Sequence, residues 1–452
     1  MDFFPVFLDL RGRAVLVVGG GEVASRKIAL LLQAGAAVTV VAPLLHQELL
    51  AAHAQRRIRW INGRFSEHLL DGQCFAVAAT DDHELNLAVT RAGTARNIFV
   101  NAVDDSAAST CIMPAIVDRS PLIIAVSSGG NTPTLARRVR SQLEALLPQS
   151  LGLLAVAAGR WRERVQQALP DLPARRRYWD AWFDGAAATG AAVSAAAIDA
   201  QLEQALAVAR AAQPRGAVWL IGAGPGDADL LTLRALQLLQ QCDVVLYDRL
   251  VGEAVLDCVR RDAERVYVGK QTGQHRTTQA RINELLVGYA QRGLRVARLK
   301  GGDPLVFGRG GEELAALAAA GIPVVIVPGV TAALGAAALA GIPLTHRGVS
   351  QSVSFVTAMA EATELLDWRL LAAPLQTIVF YMGVAQLARI VERLRAHGAP
   401  ASCGAAIVER ATLPGQRVIV GQLDTIVAQA EGASVRAPAL LIVGDVVKLR
   451  TA

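Results

Sequence analysis

RVARLKGGDPLVFGRGGEE, residues 295–313, is the most informative stretch of this chain. Its apolar residues predict a strand that ends at Gly301 and Gly302, and further glycines over 308–311 precede a helix predicted from Glu312. Because glycine has no Cβ and tolerates positive φ, a bulky ligand can lie directly against such a backbone. The stretch therefore predicts a ligand site immediately after a strand.

Lys300, Asp303 and Arg309 place one acid and two bases within this segment. The run LKGGDPLVFGRGGEE resembles the signature of the tetrapyrrole methylases, which transfer a methyl group from S-adenosylmethionine to a porphyrin-type ring. A match of this length, with fixed glycines, an acid and an arginine, is far more specific than a lone glycine triplet. The resemblance implies a two-lobed α/β methylase domain.

Length and composition indicate a folded protein of roughly two to four domains, with 452 residues of which 53% are hydrophobic. The longest uncharged run, 314–345, has the length of a membrane span, but glycines and prolines divide it into strand and helix lengths.

No basic leader or cleavage site precedes Arg11, and the five cysteines show no C-x-x-C spacing. We predict a cytoplasmic α/β protein with reduced thiols and no membrane association.

The net charge of +6 leaves room for an anionic partner, which could be nucleic acid or a polycarboxylate. No basic run interleaved with aromatic residues, of the kind that binds RNA, occurs in the sequence. We therefore predict a polycarboxylate ligand and no nucleic-acid partner.

The N-terminal sequence predicts a dinucleotide-binding βαβ unit. An apolar strand over 14–18 leads into Gly19, Gly21 and Ala24, which fit the pattern G-x-G-x-x-A. The small residues of that pattern permit a tight turn, the approach of a pyrophosphate and close packing of the helix. A second strand over 37–41 follows at the expected distance. A glycine turn that binds no ligand is the alternative at this point.

The acid that usually ends the second strand and holds the adenosine ribose is absent, because the chain reads Ala42-Pro43-Leu44 there. The choice between NAD and NADP therefore stays open. Further apolar strands are predicted over 58–61, 75–79 and 98–100. We expect the polar segments that follow these strands to face the cofactor, because ligands of open α/β sheets bind outside the carboxyl ends of the strands.

Segments of the first third resemble the precorrin-2 dehydrogenase and sirohydrochlorin ferrochelatase module. They are VVGGGEVASRKIALLLQAGAAVTVVAP, AATDDHELN, NAVDD and CIMPAIVDRSPLIIAVSSGGNTPTLARRVR. The resemblance implies NAD as the cofactor and Asp104 as the general base. It also implies contacts with the cofactor at Glu22, Val23, Pro43 and Leu44.

Asp104 suits this chemistry on physical grounds as well. Dehydrogenation removes a proton as hydride leaves to the nicotinamide, and metal insertion removes pyrrole N–H protons, so one carboxylate that faces the ring could serve both reactions. A strand-end acid that caps a turn is the alternative, and Asp105 is the second candidate base. The seven histidines show no spacing typical of a metal site, so Fe(II) is expected as a substrate without a permanent site.

SSGGNTP, residues 127–133, precedes another predicted helix, with Thr132 able to cap it and Pro133 suited to its first turn. Free N–H groups and nearby arginines predict an anion seat for substrate carboxylates, with a simple helix start as the alternative. By resemblance, Ser128 is a candidate phosphorylation site.

Residues 151–213 are rich in alanine and arginine, and their apolar spacing predicts a helical subdomain that packs on the first module or on a partner chain. The segment 213–216 predicts a linker. Together with the family resemblance, this helical segment suggests a homodimer.

A strand predicted over 218–221 ends in GAGPGD, residues 222–227, which imitates a dinucleotide loop. Pro225 removes one N–H group that a phosphate would need, so a neutral or cationic ligand fits better than a second NAD. GAGPGD, YDRLV, VGK, GIPVVIVPGVTAALGAAALAGIPLTHR and VFYMG resemble the uroporphyrinogen-III C-methyltransferases over nearly all of residues 216–447.

This resemblance implies Asp248 as a proton acceptor and Lys270 as a proton donor. The positions that match contacts with S-adenosylmethionine are Pro225, Gly301, Gly302, Asp303, Val306, Thr331, Ala332, Met382 and Ala411. Ala411 stands where many relatives have glycine, which leaves that contact open. Arg298 and Arg309 are candidate seats for substrate carboxylates, with structural salt bridges as the alternative. Because a reduced pyrrole carbon is electron-rich, the reaction needs alignment and proton management more than a protein nucleophile.

Together the resemblances imply a fused enzyme of siroheme biosynthesis that acts on uroporphyrinogen III, precorrin-2 and sirohydrochlorin. The expected division is an NAD-binding Rossmann-like domain (1–113), a dimerisation and substrate region (114–150), a helical subdomain with linker (151–213) and the methylase domain (216–452). Two alternatives remain open. The first module could sense a nucleotide without catalysis, or the second could methylate RNA or another tetrapyrrole.

Overall fold

A computed structural model describes residues 2–188, 194–211, 216–269, 278–359 and 363–451. The chain divides into two compact units, and each is described by itself. The first unit comprises Met1–Val165 and Trp182–Gln204, and the second comprises Gln166–Ala181 and Ala205–Ala452.

The elements are labelled in chain order over the described residues. The strands are β1 (Ala14–Val18), β2 (Ala37–Ala42), β3 (Arg59–Asn62), β4 (Phe75–Ala78), β5 (Phe99–Ala102), β6 (Ala115–Arg119), β7 (Leu122–Val126), β8 (Ala217–Gly222), β9 (Val244–Tyr247), β10 (Glu264–Tyr267), β11 (Arg295–Lys300), β12 (Val324–Val327), β13 (Ser352–Thr357), β14 (Gln376–Tyr381), β15 (Gly404–Glu409), β16 (Arg417–Gln422) and β17 (Ala439–Val443). The helices are α1 (Glu22–Gln33), α2 (Gln47–Ala54), α3 (His83–Thr94), α4 (Pro133–Leu146), α5 (Leu151–Ala168), α6 (Leu172–Ala188), α7 (Ala195–Ala211), α8 (Leu233–Leu239), α9 (Glu253–Leu256), α10 (Gln279–Gln291), α11 (Gly310–Ala319), α12 (Ala332–Leu339), α13 (Trp368–Leu371), α14 (Leu387–Ala396) and α15 (Ile426–Gly432).

The first unit contains a parallel sheet in the order β3-β2-β1-β4-β5. Val15, Leu16 and Val17 of its central strand are fully buried, as expected for a strand whose two faces are both covered. The strand order reverses between β1 and β4, and the loops after these strands therefore lie at the edge where such sheets bind ligands. The predicted dinucleotide-binding fold is confirmed.

The rest of the first unit continues with the antiparallel pair β6-β7 and with α4. Residues 151–213 contribute to both units, and their described part consists mainly of α5, α6 and α7, as the composition predicts. Trp161 of α5 is anchored there, because its indole Nε1–H donates to Asp199 Oδ1 at 2.8 Å.

The second unit contains two sheets, which form the two lobes of the predicted methylase fold. One sheet is parallel throughout, in the order β10-β9-β11-β8-β12. The other, in the order β13-β14-β17-β15-β16, has one parallel pair and is otherwise antiparallel. The uncharged run 314–345 divides into the end of α11, β12 and α12, as its glycines and prolines indicate. No helix in the described ranges has both the length and the apolar character needed to cross a membrane.

Candidate active sites

The glycine turn after β1 is tightly packed at two positions and open at the third. Gly19 has φ +124°, and a Cβ there would overlap the carbonyl oxygen of Ala79. A Cβ at Gly20 would overlap the carbonyl oxygen of Leu44. At Gly21, by contrast, no atom lies within 4 Å of the place that a Cβ would occupy. The turn therefore leaves room for a ligand beside Gly21.

The start of α1 provides hydrogen-bond donors at this opening. Gly21 is the N-cap residue and supplies no capping side chain, so the first N–H groups of the helix have no acceptor within it. Ala24 is fully buried against the core, as the third small residue of the pattern requires. A helix N-terminus of this kind suits a pyrophosphate, and the residues present fit NAD.

The other predicted NAD contacts lie around the same edge of the sheet. Glu22 and Val23 are exposed in the first turn of α1, and Pro43 and Leu44 are exposed directly after β2. Leu44 is 80% exposed, which is unusual for a large apolar side chain and suits contact with a cofactor. These four positions stay predictions as cofactor contacts.

Replacing Gly21 with alanine is expected to leave the fold intact and to weaken NAD binding about tenfold or more, because the added methyl group would occupy the open space beside the turn. The same replacement at Gly19 is expected to destabilise the first unit, since that position combines φ +124° with a backbone clash. Thermal unfolding and NAD titration of both variants check this contrast. Equal NAD affinity of wild type and Gly21→Ala would contradict it.

The two aspartates after β5 have different environments. Asp105 is engaged, because its Oδ1 accepts the Ala108 N–H at 2.9 Å and its Oδ2 lies 3.5 Å from His83 Nδ1. Asp104 is exposed, and its carboxylate has no hydrogen bond or ion pair with any residue that the structure describes. Asp104 also has φ +59°, a strained conformation of the kind that clusters at functional sites. The role of a turn cap thus belongs to Asp105, and the Asp104 carboxylate is free for chemistry.

The start of α4 differs from the prediction in one respect. Pro133 occupies the first turn as predicted, but the Thr132 side chain makes no capping hydrogen bond. The Thr132 N–H donates to Ser128 Oγ at 3.1 Å. Thr132 as side-chain cap is therefore wrong, and phosphorylation of Ser128 stays a prediction.

In the second unit, three glycine-containing loops converge at the carboxyl ends of β8, β11 and β12. Gly302 N–H donates to Gly224 O at 2.6 Å, and Gly224 N–H donates back at 3.2 Å. Asp303 braces the same loops, since its carboxylate accepts the Gly329 N–H at 3.1 Å and the Leu305 N–H at 2.9 Å. The Asp303 side chain thus holds the loop in shape, and its contact with the cofactor stays a prediction.

Tyr381 at the end of β14 connects the second lobe to this site. Its hydroxyl shares a 2.7 Å hydrogen bond with Thr331 Oγ1 and accepts the Ala333 N–H at 3.0 Å. Burial raises the pKa of Tyr381, which keeps the hydroxyl protonated. Thr331 and Ala332, both predicted to contact S-adenosylmethionine, are therefore fixed at the start of α12 by a residue that the sequence did not single out.

Tyr381→Phe is expected to weaken S-adenosylmethionine binding about fivefold, since it leaves the Thr331 hydroxyl and the Ala333 N–H without their partner at a cost of about 1 kcal/mol. Titration calorimetry with S-adenosylmethionine checks this. The matched control is Tyr289→Phe, which removes an exposed hydroxyl that donates to Glu264 at 2.6 Å. An unchanged affinity in Tyr381→Phe would show that the hydroxyl does not order the cofactor loop.

Asp248 lies after β9, with its side chain 27% exposed. Its Oδ1 accepts the Leu250 N–H at 3.1 Å, and its Oδ2 lies 3.3 Å from Arg298 Nη2. Arg298 is itself buried, and its Nε donates to Glu313 Oε1 at 3.0 Å. The prediction of Arg298 as a seat for substrate carboxylates is therefore corrected, because its guanidinium is enclosed and already paired with two carboxylates.

The other predicted residues are distributed around this site. Arg309 is exposed and forms two 2.7 Å hydrogen bonds with Glu312, which raise the pKa of Arg309. Val306, Ala332 and Ala411 are half-buried, whereas Met382 is exposed. Lys270 lies outside the described residues. Non-glycine residues with positive φ recur here, at Phe307, Arg309, Met382, Arg410 and Thr412.

These features define the class of protein. One chain combines a parallel sheet whose glycine turn suits NAD with a two-lobed module whose glycine loops converge on a second site. Family models agree with this division: Tetrapyrrole (Corrin/Porphyrin) Methylases match residues 217–427, and an NAD(P)-binding family matches residues 6–115. Sirohaem biosynthesis protein central matches residues 119–146, and the Sirohaem synthase dimerisation region matches residues 150–206.

Full-length relatives specify the family. Siroheme synthase 1 of Pectobacterium atrosepticum is 51% identical over 99% of this chain and 95% of its own length. Siroheme synthase of Pseudomonas paraeruginosa is 52% identical over 100% of this chain and 97% of its own length. The chain belongs to the siroheme synthase family. It is a multifunctional enzyme of siroheme biosynthesis that uses S-adenosylmethionine and NAD.

Solved structures similar to parts of the chain include the uroporphyrin III C-methyl transferase of Thermus thermophilus. That protein is 44% identical and covers 52% of this chain and 100% of its own, with a TM-score of 0.46. The precorrin-2 dehydrogenase SirC is 28% identical and covers 45% of this chain and 100% of its own, with a TM-score of 0.37.

Proposed function

We propose that the second unit methylates uroporphyrinogen III twice to give precorrin-2, and that the first unit oxidises precorrin-2 to sirohydrochlorin and inserts Fe(II). The observation that supports the chemistry of the first unit is the Asp104 carboxylate, which follows β5 at the carboxyl edge of the sheet and has no partner among the described residues. Fe(II) enters as a substrate; among the residues described, no cluster of three or more potential ligands could hold a metal ion.

In the methylase reaction, S-adenosylmethionine supplies an electrophilic methyl group. The chain's own contribution is to align the pyrrole carbon and to manage protons. Asp248 is positioned by the Leu250 N–H and by Arg298 to accept the proton that the ring loses. By family resemblance, Lys270 is the donor, and the exposed Arg309 remains a candidate for a substrate carboxylate.

When bound, NAD would supply the hydride acceptor for the dehydrogenase reaction. Asp104 takes a proton in that step, and it takes pyrrole N–H protons as Fe(II) enters sirohydrochlorin, which releases two protons in all. Asp104 can serve both reactions because no neighbouring side chain among the described residues competes for its carboxylate.

The domain limits stay a proposal: 1–113 for NAD binding, 114–150 for dimerisation and substrate, 151–213 for the helical segment and 216–452 for methylation. The match to the dimerisation region supports a homodimer.

Phosphorylation of Ser128 would place a dianion beside a polycarboxylate substrate and repel it. An intact mass without phosphate under all growth conditions would remove that idea. A cytoplasmic location stays a prediction.

The test is incubation of the purified protein with uroporphyrinogen III, S-adenosylmethionine, NAD and Fe(II), with each component omitted in turn. Omission of NAD should stop the absorbance changes at precorrin-2, and omission of Fe(II) should stop them at sirohydrochlorin. Formation of sirohydrochlorin without NAD would contradict the proposed order.

A further inference from the structure

Glu313 carries a fully buried negative charge next to Lys300, the residue directly before Gly301. The residue has no exposed surface, although it belongs to the first turn of α11 beside the exposed Glu312. A buried carboxylate is costly unless charged or polar partners surround it. Three such partners are present, Arg298, Lys300 and Gln279, at 3.0, 3.0 and 3.3 Å.

The buried charges around Glu313 balance. Arg298 and Lys300 contribute two positive charges, and Glu313 and Asp248 contribute two negative charges. Lys300 is held by both Glu313 oxygens at 3.0 Å, and burial, together with the nearby Arg298, lowers the pKa of Lys300. Within this group only Asp248 has a partly exposed side chain, at 27%, so it is the member that substrate can reach.

Arg298 links the buried acid to the reachable one. Its Nε donates to Glu313, its Nη2 donates to Asp248 at 3.3 Å, and its Nη1 donates to the Leu299 carbonyl at 3.0 Å. The guanidinium is planar, so fixing Nε fixes the direction of Nη2 as well. Without Glu313, Arg298 would keep its Nη1 bonds to the Leu299 and Leu246 carbonyls, the latter at 3.4 Å, but would lose the carboxylate that holds Nε.

We infer that Glu313 is a positioning residue for methyl transfer, which acts through Arg298 to hold the Asp248 carboxylate in place. This inference rests on the proposed role of Asp248 as proton acceptor. The Leu250 N–H fixes one Asp248 oxygen, and the Arg298 guanidinium fixes the other. Loss of Glu313 should therefore lower kcat and leave the affinity for S-adenosylmethionine nearly unchanged.

The experiment compares wild type, Glu313→Gln and the charge-balanced double variant Glu313→Gln/Lys300→Met in the full chain. The single variant leaves a surplus buried cation, whereas the double variant removes it. We expect both to lose about a hundredfold in kcat, because misplacement of a catalytic group by about 1 Å costs that much. The Kd for S-adenosylmethionine, from calorimetry, should change by less than about threefold. The control is Glu284→Gln, which removes an exposed charge paired with Arg281 and should keep wild-type kcat.

A purely structural role gives a different result. If Glu313 only balances charge, the double variant should regain both wild-type thermal stability and wild-type kcat, and that recovery would overturn the inference. Should both variants fail to fold, Arg298→Lys provides the test, because lysine keeps the charge but cannot reach Glu313 and Asp248 at once. Wild-type kcat in Arg298→Lys would also overturn the inference.

A double-mutant cycle separates this inference from the proposed function. In the background of Asp248→Asn, the change Glu313→Gln should cause no further loss of kcat, since the two residues act as one unit. An additive loss would mean that Glu313 acts by another route. If Asp248→Asn alone keeps wild-type kcat, the proposed function fails. If Asp248→Asn loses activity while the charge-balanced variant keeps it, only the inference about Glu313 fails.

Discussion

Asp104→Asn is expected to slow both precorrin-2 dehydrogenation and iron insertion about a hundredfold or more, with both methyl transfers at the wild-type rate. Asparagine is nearly isosteric but cannot accept a proton, and a positioned general base contributes about 10²–10⁴ in rate. The substitution removes no hydrogen bond or ion pair with a described residue, and asparagine tolerates the positive φ at this position. The fold should therefore be unaffected. Formation of NADH from precorrin-2 and of siroheme from sirohydrochlorin measure the two reactions separately.

Asp105→Asn provides the discriminating comparison. Its amide oxygen can still accept the Ala108 N–H, so the turn should survive and most activity should remain. Loss of both reactions in Asp105→Asn, with retention in Asp104→Asn, would transfer the role of base to Asp105. Retention in both variants would exclude both Asp104 and Asp105 as the base.

Asp248→Asn is expected to reduce the methylation of uroporphyrinogen III by about 10²–10⁴, because the ring then has no positioned proton acceptor. Binding of S-adenosylmethionine should change little, since the cofactor loops are held by Asp303 and Tyr381 and not by Asp248. The measurement is formation of S-adenosylhomocysteine at saturating substrate.

When precorrin-2 is supplied directly, Asp248→Asn should still form siroheme at the wild-type rate, which confines the defect to the second unit. Asp257→Asn is the matched control, because Asp257 is exposed directly after α9. A kcat for Asp248→Asn within about threefold of wild type would exclude Asp248 as the proton acceptor.

Most of the fold and much of the site could be predicted from the sequence, because they depend on local patterns. The glycine turn at Gly19 and the loop at Gly302 follow apolar strands, and the structure places both at carboxyl ends of parallel strands. The sequence left two interpretations of Arg298 open, a seat for substrate carboxylates and a structural salt bridge, and the structure favours the salt bridge. A charged residue within a central parallel strand is enclosed on both faces and needs buried partners.

The remaining residues of the site depend on contacts between distant parts of the chain. Glu312 and Glu313 are adjacent acids in the sequence, and only the packing of α11 shows that one is exposed and the other buried. Tyr381 reads as an ordinary strand aromatic, whereas its partner Thr331 is 50 positions away. Neither role can be predicted from periodicity or spacing.

The positive-φ residues around the methylase site have a consequence for engineering this chain. Each of these left-handed conformations costs about 1–3 kcal/mol for a residue other than glycine. Substitutions chosen to raise thermal stability, by consensus or by glycine scanning, would include glycine at Phe307, Met382 and Thr412. Gains in melting temperature at these positions would come with slower turnover, so stabilising substitutions are better sought on helices that contribute no residue to either site.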